Sequence, residues 1–385
     1  MNSRSIIYYT QLYFLDSAIE TINCIKFDFD IHLIIEVTLD SIQSTVLHIS
    51  KYKIQPGFND VYTITDSSDK QMLDSVFAGV KSVQVFYFSS PRALGVYTFF
   101  QSIDLAAYMK ALQPSSIHFD STSLRAVWTI FWLRNIRILI TIHDPLPHSG
   151  EYSWKIKFAQ KLYLIYTSKV ILYSKFARSL FDSVFPSKSD LSDSIRLLPY
   201  NYISFSASET TPTNQYILLF GRLSYYKGLD ILLDAIPYVI KQNPDLKILI
   251  AGRTESGYNL PDSSYTKQVD FISKYLSVND LTDLIRHAKF IVCPYRDATQ
   301  SGVLMTALAM HKCVIATNVG SFPEYIQHGY NGLLSFPNPI DLALNLNNAL
   351  KDNYYLKLND NISNSDYASS VLHNRSMLRL SYSSQ

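Results

Sequence analysis

Short apolar runs alternate with amphipathic stretches along the first half of the chain. The stretches Phe99–Leu112 and Ser121–Leu133 repeat apolar residues at the spacing of one helix face. The runs around them are apolar almost without interruption, which is typical of strands buried on both faces. They predict strands at Ile6–Tyr9, His32–Val37, Val83–Phe88, Ile117–Phe119, Arg137–Ile142 and Lys169–Tyr173. This alternation predicts a parallel sheet covered by helices on both sides.

The second half repeats this alternation without repeating the sequence. Residues 203–215 (ISFSASETTPTNQ) are rich in Ser and Thr and poor in large apolar side chains, which indicates a linker. The chain is therefore predicted to hold two doubly wound α/β domains, at 1–205 and 206–360, and a tail at 361–385 without a predicted structure. Predicted strands of the second domain are Tyr216–Phe220, Lys247–Ala251, Phe290–Cys293 and Val314–Thr317, and its predicted helices lie near Leu229–Gln242, Leu281–His287, Val303–Met310 and Ile340–Lys351.

Composition excludes several classes of protein. Of the 385 residues 47% are apolar, which is ample for burial and excludes disorder of the bulk of the chain. Lys and Arg exceed Asp and Glu by 34 − 32 = 2 without long runs of one sign, so we expect no nucleic-acid partner. Cys24, Cys293 and Cys313 are far apart and make no CxxC spacing. They predict neither a disulfide framework nor a zinc site, and a reducing compartment is the simplest interpretation.

We expect a cytoplasmic protein that uses no metal. Met1–Arg4 runs directly into a predicted strand, without the pattern of a signal peptide. The most apolar window, 126–142, contains Arg134 and Arg137, which excludes a membrane-spanning helix there. Asp28–Asp30 is a DxD triplet, a spacing that can hold a metal ion, but it precedes a strand and is far in sequence from any phosphate loop. A solvated turn is the expected structure.

Glycine placement indicates which domain binds phosphate. Eight of the 12 glycines lie at or after Gly221, several of them at strand ends. The first strand–helix turn of the N-terminal domain, Thr10–Ser17, contains none, so it lacks the glycine fingerprint of dinucleotide-binding domains. The second domain is therefore the better candidate for a nucleotide site.

The segment Phe220–Leu229 carries two cations at the end of a predicted strand. Gly221 allows the backbone to turn, and Arg222 and Lys227 then precede a helix that starts near Gly228. Two cations at the carboxyl end of a parallel sheet suit a diphosphate, because Arg can donate two hydrogen bonds to neighbouring phosphate oxygens and Lys acts as a point charge. Taken alone, the segment favours a solvated loop with two surface cations, because short motifs often match by chance.

Two later segments have related features. In Cys293–Val303 a strand leads through a polar loop into a helix that opens at Gly302, where backbone N–H groups and the helix dipole favour an anion. In Val314–Glu324 a strand is followed by Gly320 and an acidic residue. The order and spacing of the three segments are more specific than any one of them.

Together the segments resemble the retaining, nucleotide-sugar-dependent glycosyltransferases of glycosyltransferase family 4 (glycosyl transferases group 1), a type common in polysaccharide biosynthesis. The resemblance covers most of residues 216–351, with Thr141–Pro145 and Ile171–Lys175 as its carriers in the first half. It implies the GT-B fold, with two Rossmann-like doubly wound domains facing a cleft. It also implies a nucleoside-diphosphate sugar as co-substrate, with no other cofactor.

The resemblance assigns roles to particular residues. Arg222 and Lys227 would hold the donor diphosphate and neutralise charge as the sugar–phosphate bond breaks. The amides near Ser301, Gly302 and Val303 would add to this stabilisation, with Gly221 as the turn that admits the donor. His143 matches a histidine that ends an N-terminal strand and faces the donor sugar. A lone histidine at a strand end is about as often structural.

One departure from the family concerns its two glutamates around the glycine–helix turn. Asp297 is the nearest equivalent of the first, which contacts the donor sugar, and Thr306 stands where the second would contact the ribose. Gln300 and Ser301 are local substitutes for that contact, and Glu324 is a further polar candidate.

The family's glycine-rich N-terminal loop is also absent, with Asp16–Ser17 in its place. These departures leave open an alternative function, a non-catalytic subunit of GT-B fold that stabilises an active partner. A nucleotide-sugar epimerase or hydrolase on the same fold fits the motifs of the second domain poorly.

A last hypothesis concerns the membrane. Residues 154–163 place three lysines among aromatic and aliphatic residues on a predicted helix, a composition suited to an anionic lipid surface. Such contact would bring the enzyme to a lipid-linked glycan acceptor. An ordinary surface helix, packed through its apolar stripe, is the alternative.

Overall fold

A computed structural model describes residues 4–39, 41–42, 47–66, 70–151, 154–201, 215–260, 267–362 and 367–383. The chain forms two compact units: the first comprises Met1–Leu146, Ser153–Leu198 and Ala368–Gln385, and the second Pro147–Tyr152 and Pro199–Tyr367. The sequence pattern places the division between 205 and 206 and treats 361–385 as a separate tail, whereas residues 368–385 belong to the first unit. The predicted linker, 203–215, lies outside the described residues except for Gln215.

The first unit is built on an eight-stranded sheet in the order β3-β4-β2-β1-β5-β6-β7-β8. Every strand pair is parallel except β3–β4, which is antiparallel. The strands are β1 Arg4–Gln11, β2 Phe29–Thr38, β3 Gly57–Asp60, β4 Ser82–Phe88, β5 Ser116–Phe119, β6 Arg137–Thr141, β7 Lys169–Leu172 and β8 Ser192–Ser194. The helices are α1 Leu15–Ile25, α2 Val61–Ile64, α3 Lys70–Val76, α4 Val96–Ala111, α5 Val127–Trp132, α6 Trp154–Tyr166 and α7 Lys175–Val184.

One face of this sheet packs against α4, α5, α6 and α7. Alternate residues of the strands, among them Ile7, Ile117 and Ile138, form a single buried cluster with apolar residues of these four helices. Alternation along a strand puts successive side chains on opposite faces, so continuous apolar runs let both faces of the sheet be buried.

The predicted helix Ser121–Leu133 starts too early, since α5 begins at Val127. The Ser123 hydroxyl donates to Glu36 Oε1 at 2.7 Å and accepts from the Arg125 amide at 3.2 Å. Short polar side chains that bond the nearby backbone compete with helix formation, which accounts for the late start.

The second unit contains a six-stranded, wholly parallel sheet in the order β11-β10-β9-β12-β13-β14. Its strands are β9 Tyr216–Phe220, β10 Lys247–Ala251, β11 Val269–Ile272, β12 Ala288–Cys293, β13 Val314–Thr317 and β14 Gly332–Ser335, and its helices are α8 Leu229–Ile240, α9 Val278–His287, α10 Gly302–Ala309, α11 Pro339–Leu350 and α12 Tyr354–Ile362. The chain order reverses between β9 and β12. In doubly wound sheets this is the position, at the carboxyl ends of the strands, where ligands bind.

The last helix, α13 (Tyr367–Ser383), supplies structure where the sequence predicts none. Its Arg375 forms two hydrogen bonds to Asp28, at 2.6 and 2.8 Å, and the Tyr382 hydroxyl lies 2.5 Å from Nδ1 of buried His118. Burial lowers the pKa of His118 to about 4, so this imidazole is neutral. Asp28, the first carboxylate of the DxD triplet, is thus engaged by an arginine of the C-terminal helix. Helix α13 is anchored to the first unit by these contacts.

Within the described ranges, no group of three or more His, Cys, Asp or Glu side chains is arranged to hold a metal ion. Across the same residues, no helix combines the length and apolar character needed to cross a bilayer.

Candidate active site

Two glycines shape the loop after β9. Gly221 has φ +102° and Gly228 has φ +65°, conformations that favour glycine. A Cβ on Gly228 would lie 1.9 Å from the carbonyl oxygen of Pro294, so this loop packs directly on the loop that follows β12. Between the two glycines a 3-10 turn, Tyr225–Lys227, carries the chain toward α8. The close backbone packing therefore fixes where Lys227 lies.

Lys227 is a buried cation at the carboxyl end of the sheet. Only 6% of it is exposed, and its ammonium lies 5.2 Å from the ring centre of Tyr295. A Cβ on Gly221 would lie 2.8 Å from Lys227 Nζ, so glycine is what leaves room for this ammonium. Burial lowers the pKa of Lys227 to about 8. Among the described residues the ammonium forms no hydrogen bond or ion pair.

Arg222 sits at the rim of the same loop, half-exposed, between two carboxylates. Its Nη2 lies 2.9 Å from Glu151 Oε1 and its Nη1 lies 3.0 Å from Glu255 Oε1. Glu255 follows β10, and Glu151 belongs to the segment Pro147–Tyr152, which is part of the second unit although it follows β6 in sequence. The guanidinium predicted to hold a diphosphate is therefore already paired with acidic side chains.

The start of α10 supplies backbone donors beside Lys227. Ser301 caps this helix, its hydroxyl accepting from the Leu304 amide at 3.2 Å. Helix α10 starts at Gly302, and the first N–H groups of a helix have no partner within it. A Cβ on Gly221 would lie 3.0 Å from Cγ2 of Val303. The structure thus brings Gly221, Lys227 and the N-terminus of α10 together at the point where the sheet order reverses.

Asp297, the predicted sugar contact, is held by two residues that the sequence interpretation missed. His148 Nδ1 forms a short hydrogen bond to Asp297 Oδ1, and the Ser149 amide donates to Oδ2 at 2.8 Å. The His148 ring stacks on Tyr226 with ring centres 4.1 Å apart. Burial raises the pKa of Asp297, but the hydrogen bonds from His148 and Ser149 outweigh it and lower the pKa overall. The carboxylate is therefore ionised and fixed in orientation.

His148 and Glu151 were missed because their partners are distant in sequence. The only local signal is the polar run His148–Glu151 that follows a strand and a proline-containing turn. Such a run is ordinary for a loop, and no pattern in the sequence links His148 to Asp297 or Glu151 to Arg222.

The other predicted donor contacts lie on the same edge of the second sheet. Thr306 is buried in α10, one turn after Gly302, and Gln300 directly precedes the Ser301 cap. Glu324 ends a 3-10 turn, Phe322–Glu324, after β13 and is half-buried.

His143 lies in the first unit, directly after β6 and almost fully buried. Its Nε2 donates to the backbone carbonyl of Asp120 at 2.7 Å and lies 3.7 Å from Asp120 Oδ1, while Phe14 stacks on its ring at 3.6 Å. Burial lowers the pKa of His143, but the Asp120 carboxylate raises it by more. Tyr8 also donates to Asp120, at 3.0 Å. His143 is therefore part of a buried polar network at the end of β5 and β6.

Comparison of the sequence with known families matches residues 214–352 to the family described as Glycosyl transferases group 1. That span contains every candidate residue of the second unit except His148, Ser149 and Glu151.

Curated relatives align over part of their length. An uncharacterized glycosyltransferase of Methanocaldococcus jannaschii is 29% identical over 156 residues, which is 39% of this chain and 40% of that protein. Spore coat protein SA of Bacillus subtilis is 30% identical over 147 residues, or 35% and 39% of the two chains. The chain thus spans less than two thirds of the length of the curated relatives it matches.

Solved structures align over nearly the whole chain. HepE of Anabaena in complex with UDP and glucose has a TM-score of 0.65 and 17% identity, over 99% of this chain and 100% of that one. The catalytic domain of starch synthase IV from Arabidopsis thaliana, bound to ADP and acarbose, has a TM-score of 0.67 and 12% identity, over 100% of both chains. The structural neighbours are GT-B glycosyltransferases, and this chain has the GT-B fold with two Rossmann-like domains.

Proposed function

We propose that this chain is a glycosyltransferase that moves a hexose or related sugar from a nucleoside-diphosphate sugar to a glycan or lipid-linked glycan, with retention of the anomeric configuration. The family match over 214–352 supports this, because that span contains the cationic loop after β9 and the N-terminus of α10. Polysaccharide assembly on the cytoplasmic side of a membrane is the setting we propose for it.

The buried ammonium of Lys227 is the main support for this proposal. A buried ammonium without an acceptor among the described residues is unfavourable unless an anion binds there, because burial disfavours the charged form. The hydroxyls of Ser224 and Ser321, after β9 and β13, are likewise buried without a hydrogen-bond partner in the described part of the chain. Buried polar groups are rarely left unpaired in native proteins. A diphosphate supplies the acceptors that these groups lack.

The same groups explain how the sugar–phosphate bond would break. Negative charge develops on the departing diphosphate, and donors fixed in place before the reaction stabilise that charge without reorganisation. Lys227 and the first amides of α10 are such donors, and Arg222 joins them when the diphosphate displaces or shares Glu151 and Glu255. We propose that these protein groups meet the charge without a metal. The proposed attack by the acceptor hydroxyl occurs on the face that the diphosphate leaves. A phosphate oxygen takes the proton, and no protein nucleophile takes part.

Asp297 is the group we propose to contact the donor sugar. Its carboxylate is ionised and held by His148 and Ser149, so a sugar hydroxyl that donates to it would meet a preoriented acceptor. Thr306 offers a hydroxyl in place of a ribose-binding carboxylate. We therefore propose that Gln300, Ser301 or Glu324 supplies the remaining polar contacts to the nucleotide.

The test is a panel of nucleoside-diphosphate sugars, with UDP-glucose and ADP-glucose first, because the solved neighbours contain UDP with glucose and ADP. Binding is read as thermal stabilisation and turnover as release of nucleotide. Arg222→Ala should weaken binding by about 1–3 kcal/mol, the range for a lost charged hydrogen bond. Arg92→Ala, which removes an exposed arginine of the first unit, is the matched control and should change nothing.

A single stabilising donor that also releases nucleotide supports the transferase. If no donor or free nucleoside diphosphate binds, the enzyme proposal fails. The alternative, a non-catalytic subunit that stabilises an active partner, then explains better why Thr306 stands in place of the family's second glutamate.

A further inference from the structure

Helices α4, α5 and α6 carry large apolar side chains on their outer faces as well as on the faces that pack against the sheet. Their inward residues, such as Leu105, Ile130 and Tyr163, belong to the core of the first unit. The outward residues range from 37% exposed for Trp132 to 62% exposed for Ile165. We call this outer surface the aromatic face, formed by Tyr97, Phe100, Trp128, Phe131, Trp132, Trp154, Phe158 and Ile165.

The aromatic face is continuous across the three helices. Phe99 of α4 contacts Trp128 of α5 with ring centres 5.5 Å apart, and Phe131 of α5 contacts Tyr166 of α6 at 6.3 Å. All three tryptophans of the chain, Trp128, Trp132 and Trp154, lie on it. Exposed apolar residues are normal when scattered, whereas a contiguous patch of this size marks an interaction surface.

In the segments that hold α5 and α6 the charged residues are all basic, whereas α4 carries exposed Asp104 on the same side as Tyr97 and Phe100. Residues 121–143 and 152–181 contain no Asp or Glu, in a chain whose total is 34 basic and 32 acidic residues. The guanidinium of Arg134 lies over the ring of Phe131 at 4.6 Å, so aromatic and basic groups are interleaved. The basic residues of these two spans are Arg125, Arg134, Arg137, Lys155, Lys157, Lys161, Lys169, Lys175 and Arg178.

We propose that the aromatic face docks on an anionic lipid bilayer. Trp, Tyr and Phe favour the boundary between headgroups and acyl chains, and lysines beside them reach the anionic headgroups while their stems cover apolar surface. The segment predicted from sequence, 154–163, contributes Trp154 and Phe158 to this surface. The inference rests on the first unit alone and is independent of the proposed sugar transfer.

A second copy of the chain fits this face less well. A symmetric dimer places the same patch on both subunits, so the α5 and α6 segments, whose charges are all basic, would pack against like charge. A bilayer with anionic headgroups avoids this repulsion, since it offers negative charge at every point of contact.

The experiment uses the full chain and vesicles of phosphatidylcholine with or without phosphatidylglycerol. Binding is measured by co-sedimentation and by tryptophan emission, which reports only on this face because it holds every tryptophan. We expect binding to the anionic vesicles, a blue shift on binding, and release at high salt, where charge attraction is screened.

Two variants separate the charged and apolar contributions. Lys155→Glu, Lys157→Glu and Lys161→Glu together should lower the partition coefficient by at least about a hundredfold, since each lost basic residue contributes about 1 kcal/mol near an anionic surface and the new glutamates are repelled by it. The matched control reverses three exposed lysines of the second unit, Lys241, Lys351 and Lys357, and should bind as the wild type does.

For the apolar contribution, Phe158→Ser with Ile165→Ser should weaken binding, while Phe336→Ser with Ile340→Ser in the second unit should not, although these two control residues are more exposed (68% and 65% against 42% and 62%). Far-ultraviolet circular dichroism and thermal unfolding verify that each variant is folded. No binding to anionic vesicles, or equal loss in the variants and their controls, would overturn the proposal. Concentration-dependent dimerisation that the Phe158 and Ile165 changes abolish would also overturn it, in favour of a protein interface.

Discussion

Glu151 competes with the donor diphosphate for Arg222, and this competition can be measured. The carboxylate lies 2.9 Å from the guanidinium, with Arg222 51% and Glu151 28% exposed at their side chains. A diphosphate that binds Arg222 must displace or share this partner. Glu151→Gln keeps the size of the side chain and removes its charge. The affinity of a nucleoside diphosphate should therefore rise.

The expected gain is modest because the pair is open to solvent. Ion pairs of this exposure contribute about 0.2–1 kcal/mol, so Kd should fall at most about fivefold. Titration calorimetry at low and high salt measures it, and screening should shrink the difference at high salt. Glu255→Gln, which removes the carboxylate on the other side, should act in the same direction.

The charge-matched control for this experiment is Asp270→Asn, an exposed residue of the edge strand β11, and it should leave Kd unchanged. If Glu151→Gln binds the diphosphate more weakly than the wild type, Glu151 serves to orient Arg222 and the competition argument is wrong.

Three further predictions concern other groups. Because burial lowers the pKa of Lys227 to about 8, its protonated fraction falls from about 0.9 at pH 7 to about 0.1 at pH 9, and calorimetry should show Kd for a nucleoside diphosphate rising about tenfold. Lys227→Met should bind weakly at both pH values; an equally steep rise in that variant would assign the titration elsewhere. Asp297→Asn should lower kcat about tenfold or more through a lost charged hydrogen bond, while Kd for the free diphosphate stays within about twofold. Tyr382→Phe leaves His118 without its 2.5 Å partner and should reduce the free energy of unfolding in urea by about 1–3 kcal/mol, whereas exposed Tyr97→Phe should not.

The titration of Lys227 also makes the free energy of unfolding depend on pH. The folded-state pKa of Lys227 lies below the usual lysine pKa of 10.5, so the unfolded chain binds more protons between about pH 8 and 10.5. The contribution of this group to stability therefore increases as the pH rises through that window.

Much of the fold follows from patterns that are local in the chain. Predicted strands such as Tyr216–Phe220, Lys247–Ala251 and Val314–Thr317 have the bounds that the structure gives β9, β10 and β13. The missed strands β3, β8, β11 and β14 are short, and each lies at or beside a sheet edge, where fewer apolar residues are needed. A strand of three or four residues has too few positions for its apolar period to differ from that of a loop.

The features of the candidate site likewise fall into those encoded by neighbouring residues and those that depend on residues distant in sequence. Gly221, Lys227 and the α10 start could be identified from sequence, because turns, caps and strand ends are encoded within a few residues. Their meeting point could be expected as well, since parallel strands bring their carboxyl ends to one edge. His148 against Asp297 and Glu151 against Arg222 could not, because each pair is separated by more than 70 residues and nothing local records it.

Tertiary structure also determines where the C-terminal tail packs and which faces of the aromatic helices are buried. Composition could not show that α13 returns to the first unit, because Arg375 and Asp28 are 347 residues apart. It could not show which face of α6 is buried either, since apolar residues lie on both sides of that helix. Sequence alone determines where the chain turns, extends and coils, because those preferences act over neighbouring residues. Which side chains meet, and which remain on the surface, depends on contacts that form only when distant segments pack.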